Sequence, residues 1–430
     1  MDIIPKYPIQ SIRSTVAKGQ KKFAVATLGC RTNQSESEGY VRQLEALGYV
    51  KAGEGEEADL CIVNSCTVTA SADRHSRREI RRLSRRHPGS RLVVTGCLAE
   101  RLPEAIGALP GVTDVIRNRD KEQLVEHLFP GEELPEFAPF ITSDHARPFI
   151  KIQDGCNSFC TYCIIPYVRG RSRSRPEEEI VREVEGLVEQ GFREVVLTGI
   201  NIGDFTAGEG RRLAHLVRRI DGVPGLKRLR ISSIDPDEVD DELASVVLGG
   251  RTTCPSMHIV LQSGSNVVLK RMNRKYTRQV FLQTVRRLQE ASPEFTVTTD
   301  VIVGFPGETD ADFQETLEVM NEVKFAKVHM FPYSDRERTR SALYPNKVSP
   351  HILQERKQRA LRAAEEGAFR LRSPYVGRTV EVLVETEAPG FGHTPNFLPV
   401  TFRGRGKRGE IVSVLCTANT PLGLEGKVVP

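Results

Sequence analysis

The chain has 430 residues, of which 39% are hydrophobic and 27% charged, and carries a formal net charge of +5. A chain of this size folds as two or three domains and buries its cores without disulfide staples, so its nine cysteines need another explanation. Met1–Lys22 is polar and basic, and no apolar stretch approaches membrane-spanning length, so neither a secretory signal nor a membrane helix is expected. The expected setting is the reducing cytoplasm, where grouped cysteines serve metals or catalysis.

From residue 21 to about 133, short apolar runs alternate with amphipathic stretches. Strands are predicted at Phe23–Leu28, Leu60–Val63, Leu92–Val94 and Val112–Ile116, with helices at Ser35–Leu47, Ala72–Arg86 and Lys121–Leu128. That alternation predicts an open parallel α/β sheet. The first three strands run into Gly29-Cys30, Asn64-Ser65-Cys66 and Thr95-Gly96-Cys97. Carboxyl ends of adjacent parallel strands converge on one crevice, so Cys30, Cys66 and Cys97 can form a three-thiolate site that leaves one iron of a cluster open. The alternative is three buried thiols. Cys61 lies inside its strand, and Cys254 and Cys416 are isolated; these three are expected to be structural.

Pro130–Arg147 has no clear period and is expected to be a linker. A second alternating series follows over 142–372. Its predicted strands are Phe149–Gln153, Glu194–Thr198, Arg228–Ser232, Met257–Leu261, Thr296–Val303 and Lys327–Phe331, with helices including Glu177–Gln190, Asp237–Leu248, Thr277–Ala291 and Asp310–Val323. Six such units suit a partial (β/α)6 barrel. The loop after its first strand holds Cys156, Cys160 and Cys163. Three thiolates at this spacing can hold three corners of a cubane cluster, and the open iron can chelate a substrate. Zinc is the alternative, but it usually takes four ligands, and no fourth Cys or His lies near this loop. Thr198, Gly199, Asn201, Ser232, Ser233, Gln262 and Asp300 fall at carboxyl ends of predicted barrel strands, where small and polar residues can receive a nucleoside.

A long helix, Pro350–Arg372, leads into a β-rich, glycine-punctuated segment over 373–430, with strands at Thr379–Val384, Leu398–Phe402 and Ile411–Leu415. A small β-barrel is expected there. Arginines come in three blocks: Arg74, Arg77, Arg78, Arg81, Arg82, Arg85 and Arg86 on one helix; Arg169, Arg171, Arg173 and Arg175; and Arg403, Arg405, Lys407 and Arg408. Like charges crowded on one helix face repel, and a polyanion relieves that cost. RNA is the expected partner of all three blocks, with a solvated face as the alternative.

The three-cysteine loop, with Tyr162 just before its last cysteine, resembles the radical S-adenosylmethionine superfamily. Gly29–Glu38, Asn64–Val68 and Thr95–Glu100 are similar to the amino-terminal domain of the methylthiotransferases, and the likeness spans about 21–430. It implies an auxiliary cluster on Cys30, Cys66 and Cys97, a radical domain with Tyr162 among its cofactor contacts, and a terminal TRAM domain. The implied cofactors are two 4Fe–4S clusters and S-adenosylmethionine. The implied partners are tRNA, met at its anticodon stem-loop, a sulfur donor, and an electron donor such as flavodoxin or ferredoxin. Asn33–Glu38, Ile152–Arg175 and Leu197–Asp204 resemble the subfamily that acts on N6-threonylcarbamoyladenosine at position 37. The isopentenyladenosine type, and a non-catalytic iron–sulfur RNA-binding protein, are the alternatives. One departure stands in Tyr333-Ser-Asp-Arg-Glu-Arg-Thr-Arg-Ser341, where Arg338 and Ser341 replace the family's glycine and alanine, so an altered loop is expected there.

Overall fold

The computed structural model describes residues 20–137 and 146–430. Part of the expected linker, and most of the basic N-terminal stretch, lie outside the described residues. The first sheet contains β1 (Lys22–Thr27), β2 (Val50–Lys51), β3 (Leu60–Ser65), β4 (Arg91–Gly96) and β5 (Val112–Val115), all parallel, in the order β2-β1-β3-β4-β5. Only the two-residue edge strand β2 was not expected. Register pairs Thr27 with Asn64 and Ser65 with Gly96, so the cysteine-bearing strand ends lie side by side.

Helix α1 (Arg31–Ala46) begins four residues before the expected start. Its first turn, Arg-Thr-Asn-Gln, has no apolar period because its side chains serve the site. Asn33 donates to Leu28 O at 2.7 Å and fixes the sharp strand-to-helix turn. The helix expected at Lys121–Leu128 is a 3-10 turn, Asn118–Gln123, followed by a short helix, Leu124–Leu128, with Lys121 drawn into a buried ion-pair network. Of the linker, Phe137 packs on Tyr40 with ring centroids 5.4 Å apart.

The second sheet is six-stranded, parallel and open: β6 (Phe149–Lys151), β7 (Glu194–Thr198), β8 (Arg228–Ile234), β9 (Thr253–Ile259), β10 (Thr296–Val303) and β11 (Lys327–Pro332), in chain order from one edge to the other. Val195, Leu197, Leu229, Ile231, Met257, Ile259, Val297 and Val301 share one buried core with the surrounding helices. The alternate positions Glu194, Thr198, Arg228, Arg230, Ser232, His258, Thr298, Asp300 and His329 face the other way. The barrel interior is therefore polar. Helices Leu213–Asp221 and Asn266–Arg271 complete the layer and were not expected.

The C-terminal segment is a closed five-stranded barrel of β12 (Thr379–Glu387), β13 (Gly390–His393), β14 (Pro399–Arg403), β15 (Ile411–Thr420) and β16 (Gly423–Val428). β13 and β16 begin on glycine and lack the apolar alternation that marks a strand. This module sits under the amino ends of the second sheet's strands: Arg230 donates to Pro395 O at 2.8 Å and to Thr394 O at 3.0 Å. The fold is thus α/β in its first two sheets and a small closed β-barrel at the end.

Candidate active site

Cys30 caps α1, Cys66 follows β3, and Cys97 opens a short helix, Cys97–Arg101. Hydrogen bonds stitch the three strand ends together. Asn64 donates to Asn33 O at 3.0 Å, Ser65 to Thr95 O at 2.5 Å, and Cys66 N to Ser76 Oγ at 3.2 Å. Gly29 has φ +98°, and a Cβ there would stand 2.8 Å from Cys66 Cβ and Sγ, so only glycine fits the approach. Burial, then Cys97 and Cys30, push Cys66 up to about 12, and Cys97 is raised by burial and by Cys30. Cys66 and Cys97 are buried and Cys30 is exposed, and a metal cation would favour the thiolate form of the two buried thiols.

Cys156, Cys160 and Cys163 lie at the carboxyl end of the second sheet. Burial and Cys160 raise Cys163, and Cys156 also acts on it. Gly155, with φ +74°, lets the loop pass Arg171: a Cβ would lie 2.0 Å from Arg171 O. Arg274 donates to Cys160 Sγ at 3.0 Å, pairs with Asp235, and lies 4.7 Å over the Tyr276 ring. Sequence reading missed Arg274, since nothing in its neighbourhood distinguishes it from a surface arginine. A cavity of about 150 Å³ lies between Cys163 and the loop that follows Cys66. Cys163, Tyr162, Gln262, Asp300, Phe331 and Tyr333 line it from the barrel, and Val68 and Thr69 from the loop after Cys66.

The remaining expected contacts divide. Ser232 Oγ and Gln262 Oε1 are buried without a hydrogen-bond partner, as acceptors or donors awaiting a polar ligand would be. Ser233 is half-buried beside them. Asn201 is instead committed to Glu238 at 2.9 Å, and burial pushes the Glu238 carboxyl up to about 7. Thr198 is buried, its carbonyl accepting from Ile152 N at 2.9 Å. At Gly199 a Cβ would meet Gln153 at 3.0 Å. Gln153 Oε1 accepts from Ile200 N and Asn201 N at 3.0 Å each, so it shapes this loop; it too was missed. Tyr162 is packed edge-on against Phe305, ring centroids 6.4 Å apart.

The second arginine block does not form one RNA-facing surface. Arg169 is fully buried and bonds Glu36, Asp154 and Asn33, directly beneath Cys30 and Cys97, which act on it electrostatically. Arg175 pairs with Glu183 at 2.8 Å, and Arg171 lies 4.3 Å over Phe159. Of this block Arg173 remains exposed and without a described partner. Burial won because Glu36 and Asp154 supply anions from distant parts of the chain. The first block does lie on an exposed face of helix α2 (Ala70–Arg86), with Ser76, Ile80 and Leu83 buried opposite, though Arg82 pairs with Glu79. The third block is exposed as well. Asp73, in the first turn of α2, binds Arg101 and Arg336 at 2.8 Å each and ties the helix to the loop after β11.

Residues 150–320 match the Radical SAM superfamily, and residues 22–117 match the Uncharacterized protein family UPF0004. A Chlamydia pneumoniae protein named threonylcarbamoyladenosine tRNA methylthiotransferase MtaB is 46% identical, over 96% of this chain and 100% of that one. A Bacillus subtilis protein of the same name is 37% identical over 91% and 92%. A Clostridium novyi tRNA-2-methylthio-N(6)-dimethylallyladenosine synthase is 32% identical over 95% and 97%. Among solved structures, the radical S-adenosylmethionine methyltransferase TsrM from Kitasatospora setae, with tryptophan and a SAM analogue bound, superposes with a TM-score of 0.54 at 15% identity, over 73% of each chain. That likeness is one of fold.

Proposed function

The chain belongs to the radical S-adenosylmethionine tRNA methylthiotransferases, an enzyme family that uses an iron–sulfur cluster and S-adenosylmethionine, and on that premise we propose that it converts N6-threonylcarbamoyladenosine, at position 37 of tRNA, to its 2-methylthio derivative. The observation that carries the reading is the presence of two three-thiol sets, one at adjacent strand ends of the first sheet and one in a single loop of the second, with a cavity lined by Cys163 on one side and by Val68 and Thr69, just after Cys66, on the other. In this proposal Cys156, Cys160 and Cys163 hold the radical-generating cluster, and Cys30, Cys66 and Cys97 hold the auxiliary one. Each donor set fits an iron–sulfur cluster with one open iron: three thiols, no fourth cysteine beside them, and unpartnered buried oxygens on Ser232 and Gln262 for the bound cofactor. When bound, these groups supply the radical that abstracts hydrogen and the sulfur that replaces it.

The chain's own residues do the positioning. Arg274 donates to Cys160 Sγ and so fixes that side chain's orientation. Tyr162, backed by Phe305, and Phe331 form an apolar wall of the cavity, and an apolar wall limits the water that could quench a radical. Thr69 caps α2 and, with Val68, forms the opposite wall. In this reading residues 21–133, 142–372 and 373–430 are the auxiliary-cluster, radical and RNA-binding units, and the arginine face of α2 and the exposed cations around Arg405 contact phosphate. A sulfur donor, an electron donor such as flavodoxin or ferredoxin, and a cytoplasmic location complete the proposal; among the described residues no helix is long and apolar enough to cross a membrane.

The threonylcarbamoyl substrate is favoured because the relatives so named reach 46% identity, against 32% for those named for the dimethylallyl base. Nucleoside analysis of tRNA from a deletion strain tests it. Loss of 2-methylthio-threonylcarbamoyladenosine is expected. Loss of the isopentenyl derivative instead would overturn the substrate.

A further inference from the structure

Two exposed apolar side chains line the cavity between Cys163 and the loop after Cys66. Val68 is 45% exposed and Phe331 is 39% exposed, and among the described residues no other exposed large apolar side chain lines this cavity. They come from different regions. Val68 precedes Thr69, the cap of α2, while Phe331 lies on β11, paired in register with Ile302 of β10. Leaving such groups in water forgoes hydrophobic stabilisation, so a pair of them on the two walls of one cavity marks a surface kept for an apolar or aromatic ligand.

Hydrogen bonds beside the cavity tie its two walls together. Ala70 N, next to Thr69, donates to Ser334 Oγ at 3.0 Å, and Ser334 itself lines the cavity on the side of Phe331. Arg336 donates to Thr67 O at 3.4 Å and pairs with Asp73 at 2.8 Å. These bonds set the spacing of Val68 and Phe331, so the slot is built before its ligand arrives. Its deep end is closed by the buried Ile164 and Gln262, and Gln262 serves the cofactor in the proposal above. Val68 and Phe331 belong to the open end. A volume of about 150 Å³ suits one flat ring system and is smaller than the pockets that enclose a whole cofactor.

We propose that Val68 and Phe331 form a stacking slot for the target base of the tRNA, Phe331 covering one face of the adenine ring and Val68 the other. The inference deepens the proposed function and rests on its tRNA methylthiotransferase reading, but not on which N6 substituent the base carries. Bases in an RNA loop can be splayed out, and proteins hold them by stacking on aromatic side chains. Apolar faces meet the ring and leave the substituent at its edge unread. A ring held in this slot has Cys163 on one side and the loop that follows Cys66 on the other. A cofactor bound by the barrel alone needs no wall from the first region, whereas a base that must meet both regions does. Val68 and Phe331 are thus positioning residues for the base, and the bonds of Ser334 and Arg336 keep them apart by its thickness.

The test measures binding of two anticodon stem-loop RNAs to the anaerobically reconstituted holoenzyme: one with threonylcarbamoyladenosine at position 37, and one abasic at that position. Wild type should bind the base-bearing RNA about fivefold to a hundredfold more tightly, the range of one base–aromatic stack. Phe331→Leu keeps an apolar side chain but has no aromatic face, and should bind the base-bearing RNA nearly as weakly as the abasic one. Phe331→Tyr keeps the ring and should keep the preference, and Val68→Ala should lose part of it. Iron content, and affinity for S-adenosylmethionine without RNA, are measured for each variant. If Phe331→Leu loses iron, Phe331→Tyr and Val68→Ala carry the comparison. An unchanged preference in Phe331→Leu, an unchanged preference in Val68→Ala where that variant carries the comparison, or no preference in a wild type that modifies the base, would overturn the inference and leave the proposed function standing. A fall in S-adenosylmethionine affinity in Phe331→Leu as large as the fall in RNA affinity would place the cofactor's own adenine in the slot and overturn it as well. A wild type that prefers the base yet modifies only isopentenyladenosine would support the slot and overturn the substrate; one that modifies neither base would overturn the proposed function and the slot with it.

Discussion

Arg169→Met should detach the first sheet from the second. The network it anchors joins Glu36 and Lys121 of the first region to Lys151, Asp154 and Arg169 of the second, all nearly or fully buried. Lys121 lies 2.6 Å from Glu36, and Arg169 lies 2.7 Å from Asp154 and 3.0 Å from Glu36. With Glu122 bound to Lys151 at 2.7 Å, three cations face three carboxylates. Methionine keeps the length of the side chain and removes one cation, leaving a buried excess of negative charge. Breaking a buried pair in this way costs about 3–5 kcal/mol. A second observation gives the pH dependence. Arg169, with Lys121 and Lys151, overcomes burial and holds Glu36 down to about 2 from an ordinary 4.5. The depression is shared among the three cations, so it sets the sign of the contribution and not the size of Arg169's part. The sign follows from the depression: the contribution is complete above about pH 4.5 and is lost as pH falls from there toward 2. Because the chain has no tryptophan, urea unfolding of the cluster-free protein is best followed by circular dichroism at 222 nm. The variant should lose about 3 kcal/mol or more in its first transition at pH 7, and much less near pH 2.5. A loss under about 1 kcal/mol at pH 7 would refute the reasoning, since it would mean that the carboxylates are not held by Arg169.

Gly29→Ala would bring a methyl group to 2.8 Å from the Cys66 side chain in a left-handed conformation, so iron after anaerobic reconstitution should fall from about eight per chain toward about four, with 5′-deoxyadenosine still formed; full iron loading would contradict the assignment of Cys66 as a ligand. Ser232→Ala removes a buried oxygen that has no protein partner. If that oxygen meets S-adenosylmethionine, affinity measured by calorimetry should drop about fivefold to a hundredfold; a stabilised protein with unchanged affinity would show that the hydroxyl is merely stranded. Replacing Arg78, Arg81 and Arg85 together with glutamine should flatten the dependence of log affinity for tRNA on log salt by about 2–3, the slope expected from three phosphate contacts. An unchanged slope would leave that helix face solvated and unengaged.

The cysteines were legible because their chemistry and their place in the pattern agree. Each of Cys30, Cys66 and Cys97 ends an apolar run, and parallel register then brings such ends together whatever their separation in sequence. Arg169 was misread for the opposite reason. Its spacing from Arg171, Arg173 and Arg175 suggests one exposed ribbon, while its fate is decided by Glu36 and Asp154, whose proximity no local pattern encodes. The polar barrel interior was within reach. Arg228, Arg230 and Ser232 alternate with Leu229 and Ile231, and Thr296, Thr298 and Asp300 alternate with Val297 and Val301. Strands of a parallel sheet covered on both faces read as nearly continuous apolar runs, so this alternation marks an inner face with a polar task. Attention to strand ends alone passed it over.

The departure at Arg338 separates a side chain from the backbone shape it occupies. An altered loop was expected because arginine replaces the family's glycine. The loop nevertheless keeps a left-handed residue there, Arg338 having φ +73°. Its neighbours determine that conformation. Arg336 is held by Asp73 at 2.8 Å, Thr339 N donates to Arg336 O at 3.0 Å, and Ser341 N donates to Thr161 O at 2.9 Å inside the three-cysteine loop. Ser341 also receives the Tyr333 hydroxyl at 2.8 Å, a bond that an alanine could not accept. A left-handed arginine costs about 1–2 kcal/mol. Hydrogen bonds at both ends of the turn, each contributing about 0.5–1.5 kcal/mol, are enough to offset that cost. The strain is therefore carried by a segment that Arg336 ties to Asp73 in the first turn of α2 and that Ser341 ties to Thr161 in the loop holding Cys160 and Cys163, so the two polar anchors flank the left-handed arginine.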